Sequence, residues 1–526
     1  MAEPDAEVAI IGAGLSGIGM GIALRRAGIH DFVLLERAAD IGGTWRDNTY
    51  PGVGVDVPAQ AYQFRFALNP RWSRVFAPGA EVKAYVDQLA DRYGIRPHVR
   101  LRSEVVARVW DEDARLWRLR IDGGGELTAR FVVSAIGPFV DPKPTDIPGA
   151  DDFAGTVLHT ARWDHGTDLT GKRVAVVGTG ASAVQLVPEI ARRVARLDVY
   201  QRTPIWVAPK PDMAIPRAVT RLFERVPRVQ EGVRRAATRG VEMMLVDGVV
   251  HHRRAPYVTR AAAGLLRSVW YRSQVRDPEV RRRLTPRYGL GCKRPSVSNS
   301  YLRTFNRPHV SLVTDPIDRI TPDGVRTIDG RERQVDVIVL ATGFRLASDP
   351  ENFRRTPVRG RDGFDLATAY TEHRLASYEG VSIPGLPNHF MMFGPYGWVG
   401  GTWHELVETT SAHIVRVITE ARRRGAAVVE VKPEPTERWT EGMRRRLAGS
   451  LWMTNGCATA NSYYFDHHGD TPYLRPTSAA QAYRASRTFP LDDYAYTSAT
   501  PATPPTRRAS AATGTASPTE TGKRPA

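Results

Sequence analysis

The sequence has little cysteine. Only Cys292 and Cys457 occur in 526 residues, and no CxxC pair or Cys/His cluster is present. So few thiols argue against a zinc site, a dithiol redox centre or a disulfide scaffold, and we expect no bound metal. Cys292 is predicted to be a small apolar side chain of the core rather than a nucleophile. The scarcity of cysteine also favours a cytoplasmic location.

Long hydrophobic runs are missing as well. No apolar stretch approaches the roughly 18 residues that a membrane-spanning helix needs. The apolar run at 8–11 ends at a glycine, so we predict a strand there rather than a signal peptide. The composition, 42% hydrophobic and 25% charged, is ordinary for globular domains. A chain of this length predicts about three to four domain-sized units.

Lysine is scarce although the net charge is +17: seven lysines accompany 66 arginines. Such basicity is typical of proteins that bind nucleic acids or membrane surfaces, but a GC-rich genome produces it too, by encoding arginine in place of lysine. Because the arginines are spread along the chain, we favour the second explanation and expect no nucleic-acid partner. A single arginine is therefore weak evidence for a site, whereas a lysine in a motif is stronger evidence.

What is present is a strand–loop–helix–strand unit that occurs twice. The first unit has a strand at 8–11, the loop 12–17 and a strand at 32–35, and the second has a strand at 173–177, the loop 178–183 and a strand at 197–200. A GxGxx(G/A) loop between a strand and a helix is typical of Rossmann folds, in which the glycines let the backbone approach a pyrophosphate. We predict an α/β protein with two interleaved Rossmann-like dinucleotide-binding domains.

The residues that follow each loop distinguish the two ligands. Glu36 lies 24 residues after Gly12, at the end of a strand, where a carboxylate accepts from ribose hydroxyls and repels a 2′-phosphate. Arg202 lies 24 residues after Gly178, and together with Thr203 it suits a 2′-phosphate. The first unit is therefore predicted to bind FAD and the second NADP(H), so that hydride passes from nicotinamide to flavin.

Composition also suggests the boundaries of the domains. We expect an FAD-binding domain over 1–145, an NADP-binding domain over 146–330, a return to the FAD-binding domain over 331–496 and a disordered tail over 497–526. Residues 211–286 are rich in arginine with helical spacing, which predicts a helical insertion. We expect its basic face to be solvated, with contact to a membrane surface as the alternative.

Residues 153–164 carry the most specific pattern. They fit the fingerprint FxGxxxHxxxW(P/D) of the flavin-dependent Baeyer–Villiger monooxygenases at its five specified positions, Phe153, Gly155, His159, Trp163 and Asp164. A second pattern of that family, GxWxxxx(F/Y)PxxxxD, fits Gly43, Trp45, Tyr50, Pro51 and Asp56. The chain resembles this family over about residues 5–490, and the Gly54-Val55 pair before Asp56 resembles its aryl-ketone subset.

The resemblance implies an activity and roles for particular residues. The family uses FAD, NADPH and O2 to insert an oxygen atom beside a ketone carbonyl, by way of a peroxide on the flavin, and forms an ester or a lactone. By resemblance, Arg294 is the catalytic cation that stabilises the peroxide and the oxyanion of the adduct, and Asp56 orients it. Lys293 is implied to bind the 2′-phosphate of NADP. His159 lies between the domains, and we expect it to make an orienting hydrogen bond rather than to act as a base.

Further cofactor contacts are expected around the two loops. Trp45 and Tyr62 are predicted to line the flavin ring and Val105 to contact the adenine, with ordinary core packing as an equal alternative for all three. The complete predicted set of cofactor-binding residues is Gly12, Gly14, Ser16, Gly17, Glu36, Arg37, Gly43, Thr44, Trp45, Asp56, Tyr62, Val105, Gly178, Thr179, Gly180, Ser182, Gln185, Arg202, Thr203 and Lys293.

Two other functions remain open at this stage. A flavin monooxygenase of the same fold could oxygenate sulfur or nitrogen in small molecules, although such enzymes usually lack the Trp163-Asp164 ending of the fingerprint. A basic nucleic-acid-binding protein could retain a vestigial dinucleotide fold, but the intact loops and the Glu36/Arg202 pair argue against it.

Overall fold

The computed structural model describes residues 3–457 and 459–498. Its strands are β1 (Ala6–Ile11), β2 (Phe32–Leu35), β3 (Val99–Arg100), β4 (Val105–Asp111), β5 (Leu116–Ile121), β6 (Gly125–Ser134), β7 (Phe139–Pro142), β8 (Thr156–His159), β9 (Arg173–Val177), β10 (Arg196–Tyr200), β11 (Val207–Ala208), β12 (Ser296–Val297), β13 (Val310–Val313), β14 (Ile317–Thr321), β15 (Gly324–Thr327), β16 (Glu332–Gln334), β17 (Val337–Leu340), β18 (Phe344–Leu346), β19 (Val358–Arg359), β20 (His389–Met391), β21 (Ala426–Val431) and β22 (Tyr494–Ser498).

The α-helices are α1 (Leu15–Arg26), α2 (Thr44–Asp47), α3 (Gly79–Arg92), α4 (Ala181–Ile190), α5 (Arg217–Arg225), α6 (Pro227–Glu242), α7 (Pro256–Leu265), α8 (Tyr271–Gln274), α9 (Pro278–Leu284), α10 (Tyr301–Thr304), α11 (Pro350–Arg355), α12 (Leu366–Glu372), α13 (Trp403–Arg424), α14 (Pro433–Leu447) and α15 (Ala479–Thr488). Two π-helical segments, Met243–Val250 and Leu266–Trp270, lie in the region between α6 and α8.

The first sheet contains eight strands in the order β19-β4-β5-β6-β1-β2-β3, with β20 also paired with β6. β1 lies between β2 and β6 and is parallel to both. Its residues 8–11 are apolar on both faces, as a strand covered on two sides requires. Val8 and Ile10 pack in the core that α1, α3 and α13 share, whereas Ala9 and Ile11 pack in a second core on the opposite face.

The second sheet contains five parallel strands in the order β13-β10-β9-β17-β8. The prediction placed 337–340 in the return segment that starts at 331, and this boundary is wrong, because β17 pairs with β8 and β9 of the second sheet. The apolar sequence of β17 predicts a buried strand but carries no information about which sheet it joins. The return begins beyond it, with β18, which pairs with β7 to form a two-stranded antiparallel link.

The segment predicted as an insertion, residues 211–286, contains α5 to α9 together with the two π-helical segments. The predicted tail begins two residues too early, because Thr497 and Ser498 belong to β22, which pairs with β21. The rest of the predicted tail, 499–526, lies outside the described residues. Among the residues that the structure describes, no helix is both long and apolar enough to span a lipid bilayer.

Candidate active site

The first glycine loop joins β1 to α1 in a tight turn. Gly12 has φ +102°, and a Cβ atom there would lie 2.9 Å from the backbone oxygen of Ala135. A Cβ on Gly17 would lie 1.9 Å from the oxygen of Gly12. Glycine is therefore required at both positions, because a side chain there would collide with the backbone of the turn.

Glu36 lies at the end of β2 and faces this loop. Its buried carboxylate accepts from the backbone N–H of Ala13 at 2.9 Å and from that of Ala38 at 3.0 Å. The Arg46 guanidinium donates to it at 3.0 Å. A carboxylate offers about four acceptor positions, so one remains for a ribose hydroxyl.

The remaining residues predicted for the first unit fall into two groups. A Cβ on Gly43, the residue before α2, would lie 3.1 Å from the Cα of Gly14, so the segment from Gly43 through Thr44 closes over the glycine loop. The Trp45 indole in α2 donates to the Tyr62 hydroxyl at 3.2 Å. By contrast, Arg37 forms an ion pair with Asp141, and the Val105 side chain is buried in the core of the first sheet, which favours the core-packing alternative for Val105.

The second glycine loop repeats the geometry of the first. Gly178 has φ +113°, and a Cβ atom there would lie 2.5 Å from the backbone oxygen of Ala341. The Thr179 hydroxyl donates to the backbone oxygen of Thr203 at 3.0 Å, which ties the loop to the segment that carries Arg202. Gly180 is the residue before α4, as Gly14 is before α1.

The two units meet where α4 contacts the loop that follows α2. The Tyr50 hydroxyl donates to the side-chain oxygen of Gln185 at 2.8 Å, and the Gln185 amide donates to the backbone oxygen of Gly54 at 2.9 Å. Burial raises the pKa of Tyr50 to about 12, while a hydrogen bond with Ser182 opposes that rise. Ser182 and Gln185, predicted from the second loop, therefore face the first unit.

Arg202 and Lys293 lie close together although 91 positions separate them in the sequence. Burial, together with repulsion from Arg202, lowers the pKa of Lys293 to about 8. With its amide oxygen turned toward Arg202, Asn461 accepts from the guanidinium Nε at 3.3 Å. Neither cation has an ion-pair partner in the described part of the chain, so a bound anion such as a phosphate would relieve the repulsion between them.

Arg294 forms a bidentate ion pair with Asp56. Its Nε and Nη2 atoms each donate to one carboxylate oxygen at 2.7 Å, and about a quarter of each side chain, 27% and 28%, is exposed. Burial would lower the pKa of Arg294, but the carboxylate of Asp56 outweighs this effect and the pKa is raised. Arg294 therefore stays charged, and the pair fixes its orientation. The sequence prediction that these residues, 238 positions apart, act together is consistent with this contact.

The surroundings of Arg294 are aromatic. Its guanidinium lies 5.9 Å from the ring centre of Trp398, and Trp398 stacks on Tyr464 with ring centres 6.4 Å apart. Tyr463 and Tyr464 lie within electrostatic range of the same guanidinium. Neither tyrosine, nor Asn461, was predicted from the sequence, because no motif marks the stretch that contains them.

One prediction about cysteine is wrong. Cys292 and Cys457 form a disulfide, with Cα atoms 5.2 Å apart, and both residues are buried. The two positions are 165 residues apart in sequence, so their spacing gave no indication that the fold brings them together. The bond ties the segment that carries Lys293 and Arg294 to the segment that precedes Tyr464. In the described part of the chain, no group of His, Cys, Asp and Glu side chains could hold a metal ion.

The fingerprint residues lie at the edge of the second sheet. A Cβ on Gly155 would lie 2.5 Å from the backbone oxygen of Asp336, and Phe153 packs in the core beside that sheet. His159 ends β8, and its Nδ1 accepts from the N–H of Ala161 at 3.0 Å. Burial lowers the pKa of His159, and Arg162 lowers it further, so the imidazole is neutral near pH 7.

The end of the fingerprint faces the links between the domains. Nε2 of His159 lies 3.5 Å from the Thr342 hydroxyl, just before β18. Trp163 packs against the core of the second sheet. The Asp164 carboxylate accepts from the N–H of Gly166 at 2.9 Å and closes a turn. These contacts support an orienting role for His159 rather than that of a base.

An unpredicted contact joins the first loop to α13. The Trp403 indole, at the start of α13, donates to the Ser16 hydroxyl at 2.9 Å. The next residue, His404, is buried among Tyr62, Phe64 and Tyr85, and neither ring nitrogen has a hydrogen-bond partner among the described residues. Burial lowers the pKa of His404 to about 3, so this ring is neutral and acts as an apolar wall behind Tyr62.

Comparisons with known proteins agree with this geometry. The profile of the pyridine nucleotide-disulphide oxidoreductase family matches residues 9–242. A Baeyer–Villiger monooxygenase of Pseudomonas aeruginosa is 40% identical over 454 residues, which are 86% of this chain and 84% of the relative. A Baeyer–Villiger monooxygenase of Streptomyces coelicolor is 37% identical over 510 residues, 96% of each chain.

Solved structures give the same result. Cyclohexanone monooxygenase from Rhodococcus sp. Phi1 bound to NADP+ superposes with a TM-score of 0.82 at 27% identity, over 94% of this chain and 100% of the other. A steroid monooxygenase bound to NADP gives a TM-score of 0.81 at 28% identity, over 94% and 99% of the two chains. Because relatives at 37–40% identity match more than four fifths of both chains, this protein belongs to the Baeyer–Villiger monooxygenase family.

Proposed function

We propose that the protein is an FAD- and NADPH-dependent monooxygenase that uses O2 to convert a ketone into an ester or a lactone. The observation that carries the proposal is the bidentate pair of Arg294 with Asp56, set beside the contact between the two dinucleotide-binding units. FAD, when bound, accepts hydride from NADPH and activates O2. The chain's own residues bind the two cofactors, exclude water and hold a fixed positive charge.

The first unit fits FAD, and we assign the FAD-binding domain to the first sheet. Glycine is required at Gly12 and Gly17, which leaves space for a pyrophosphate at the N-terminus of α1. Glu36 retains one acceptor position for a ribose hydroxyl and would repel a 2′-phosphate. Trp45 and Tyr62 are joined by a hydrogen bond and form one wall beside the loop, where they would contact the flavin ring.

The second unit fits NADPH rather than NADH, and we assign the NADP-binding domain to the second sheet. Arg202 and Lys293 are two cations whose mutual repulsion a 2′-phosphate would relieve. Asn461, which lies in the segment just after Cys457, accepts a hydrogen bond from the Arg202 guanidinium and holds it in place. A phosphate bound there would let both cations make charge-assisted hydrogen bonds, and these are stronger than neutral ones.

Arg294 supplies the electrostatic part of the reaction. Addition to a ketone carbonyl converts the carbonyl oxygen into an oxyanion, and a preorganised cation stabilises that charge more than it stabilises the neutral ketone. Asp56 contributes by holding the guanidinium in one orientation, so that no reorganisation is needed as the charge develops. The third donor group of the guanidinium, Nη1, is not used by Asp56 and is available to the reacting oxygen.

The walls of the site favour an aryl ketone. Trp398, Tyr463 and Tyr464 lie near Arg294, and aromatic rings of this kind pack edge-to-face or offset-stacked against an aryl substituent. The Gly54-Val55 pair, which resembles the aryl-ketone subset, supports the same substrate class. NADPH dependence also supports a cytoplasmic location.

The experiment offers the FAD-loaded protein an aryl ketone, a cyclic aliphatic ketone and an aryl thioether, each with NADPH and ¹⁸O2. We expect one ¹⁸O atom in an ester from the aryl ketone, formed in step with NADPH oxidation. A sulfoxide with no ester would favour the sulfur-oxygenating alternative. A purified protein that binds no flavin when FAD is supplied would contradict the proposal altogether.

A further inference from the structure

The helical insertion, residues 211–286, exposes an unusual amount of apolar surface. Of the 18 large apolar side chains that are exposed in the described part of the chain, 11 lie between Met213 and Val269. Most large apolar side chains of a globular protein are buried in its cores, and those on its surface are normally scattered one by one. Their concentration in one helical unit marks an interaction surface rather than random exposure.

These side chains form a row along α6. The helix turns Gln230, Arg234, Thr238 and Val241 toward the protein, where they are buried. Val229 and Val233 lie one turn apart on the outside, and both are about 40% exposed. Beyond the end of α6, Met243 and Met244 add two flexible apolar side chains that are 54% and 47% exposed.

A second row runs along the helical stretch from α7 to α8. Val258, Leu265 and Val269 are spaced by seven and four residues, which places them on one face of a helix. Leu265 is 63% exposed, and Tyr257, next to the start of this row, is 69% exposed. The Met243–Val250 segment packs against α7, so the two rows belong to one helical unit.

Positive charge accompanies the apolar rows. Residues 211–286 contain 16 arginines and seven acidic residues, so this stretch supplies +9 of the net charge of +17. Ten of these arginines are exposed and have no ion-pair partner among the described residues: Arg217, Arg221, Arg225, Arg228, Arg253, Arg254, Arg260, Arg267, Arg272 and Arg276. The partner of this surface must therefore accept apolar side chains and also supply negative charge.

We propose that the insertion binds the interface of an anionic lipid membrane, with its apolar rows in the acyl boundary and its arginines at the headgroups. Such an arrangement of valine, leucine, methionine and tyrosine beside arginine is typical of helices that lie in a membrane interface. Arginine side chains extend along an apolar surface and keep their charged ends in contact with phosphate groups. A second copy of the chain is disfavoured as the partner, because two such faces would bring their arginines together.

The sequence alone favoured a solvated face for this insertion. Exposure of the apolar rows changes that expectation, since a solvated helix would turn such residues inward. The proposal does not depend on the oxygenation reaction, because it uses no residue of the candidate active site.

The test measures co-sedimentation of the FAD-loaded full-length protein with vesicles. We expect binding to phosphatidylcholine vesicles that contain phosphatidylglycerol to be at least about tenfold tighter than binding to phosphatidylcholine alone, and to weaken as salt shortens the Debye length. Two sets of insertion variants should each reduce binding. The first combines Leu265→Ser with Val269→Ser, and the second combines Arg221→Gln, Arg225→Gln and Arg228→Gln. The loss should be about fivefold per arginine, the change that about 1 kcal/mol per charge produces.

Ile328→Ser and Arg120→Gln are the matched controls. Both residues are exposed but lie outside the insertion, in the second and first domains respectively, so we expect these variants to bind like the parent. Unchanged circular dichroism and flavin content establish that every variant is folded. Equal binding to both vesicle types, or binding that neither set of insertion variants reduces, would overturn the proposal. Two other results would also overturn the proposal: self-association of the protein that only the insertion variants abolish, and capture of an acidic protein without any binding to vesicles.

Discussion

Lys293 is a lysine in a chain that almost always uses arginine, and its charge depends on pH near neutrality. Burial and the neighbouring Arg202 lower its pKa to about 8. The ammonium form predominates below that pH and the neutral amine above it. A 2′-phosphate bound beside it favours the ammonium form, so NADPH binding takes up a proton when the pH is above about 8.

The pH dependence of NADPH binding follows from this. The KM for NADPH should rise as the pH increases through about 8, whereas the KM for NADH should stay flat over the same interval. Lys293→Arg should flatten the NADPH profile, because a guanidinium remains charged. Steady-state kinetics with both coenzymes measure this, and a parallel rise in the KM for NADH would show that a different group titrates.

Coenzyme choice depends on the same two cations. Arg202→Ala combined with Lys293→Ala should raise the KM for NADPH by about 10- to 150-fold per cation, since each charge-assisted hydrogen bond contributes about 1.5–3 kcal/mol. The KM for NADH should change little. Arg192→Ala, an exposed arginine of the same domain, is the control. Equal losses with both coenzymes would mean that these residues shape the domain instead of binding the 2′-phosphate.

At the scale of elements, the disulfide joins two segments that both border the site. The first carries Lys293 and Arg294, and the second precedes Asn461 and Tyr464. The Trp452 indole donates to the backbone oxygen of Gly291 at 3.0 Å and reinforces the connection. The position of the catalytic arginine therefore depends on a contact between elements as well as on Asp56.

Loss of this bond should destabilise the protein. Cys292→Ser combined with Cys457→Ser should lower the free energy of unfolding by about 2–5 kcal/mol, because the bond closes a long loop in the unfolded chain. Urea unfolding measures this. Complete reduction, verified by titration of free thiols, should have the same effect on the parent and none on the double variant. An unchanged unfolding midpoint of the parent after complete reduction would contradict the prediction.

The fingerprint should set the geometry between domains. His159 lies beside Thr342, near the start of the return segment, and Trp163 packs against the core of the second sheet. His159→Ala and Trp163→Ala should keep flavin bound but lower the yield of ester per NADPH oxidised. His30→Ala, a change at an exposed histidine, should behave like the parent. Purification of either fingerprint variant without flavin would refute this role.

For the whole molecule, the sequence predicts local structure much better than it predicts distant contacts. The strand bounds 173–177 and 337–340 agree with β9 and β17, since short apolar runs next to glycine are distinctive. The sheet that β17 joins could not be predicted, because its side chains would suit either core. The disulfide was missed because 165 residues separate its cysteines.

The candidate site shows the same division. The glycine loops, Glu36 and Arg202 follow from spacing within each unit, and the pairing of Arg294 with Asp56 followed from family resemblance. Tyr463 and Asn461 could not be predicted, because only the fold brings their segment to Arg294 and Arg202. The exposure of the insertion's apolar rows could not be predicted either. Helical spacing shows which residues share a face of a helix, but not which face packs against the rest of the protein.

We expect Arg294 to stabilise charge in the oxygenation step and to have no part in flavin reduction. Arg294→Ala should be reduced by NADPH at a rate close to that of the parent, and its formation of ester should fall by about 100- to 1,000-fold, the usual loss for one preorganised donor. Asp56→Ala should show a smaller loss of the same kind, because it acts through the arginine. Arg287→Ala, an exposed arginine in the same segment, is the matched control.

Rapid mixing separates the two steps in a single preparation. Anaerobic mixing with NADPH follows bleaching of the flavin, and subsequent mixing with O2 and an aryl ketone, quenched at intervals, gives the rate of ester formation. The flavin of Arg294→Ala should bleach normally and this variant should form almost no ester, while Arg287→Ala should match the parent in both steps. Formation of ester by Arg294→Ala at the parent rate, or an equal loss in both steps, would contradict this role of Arg294.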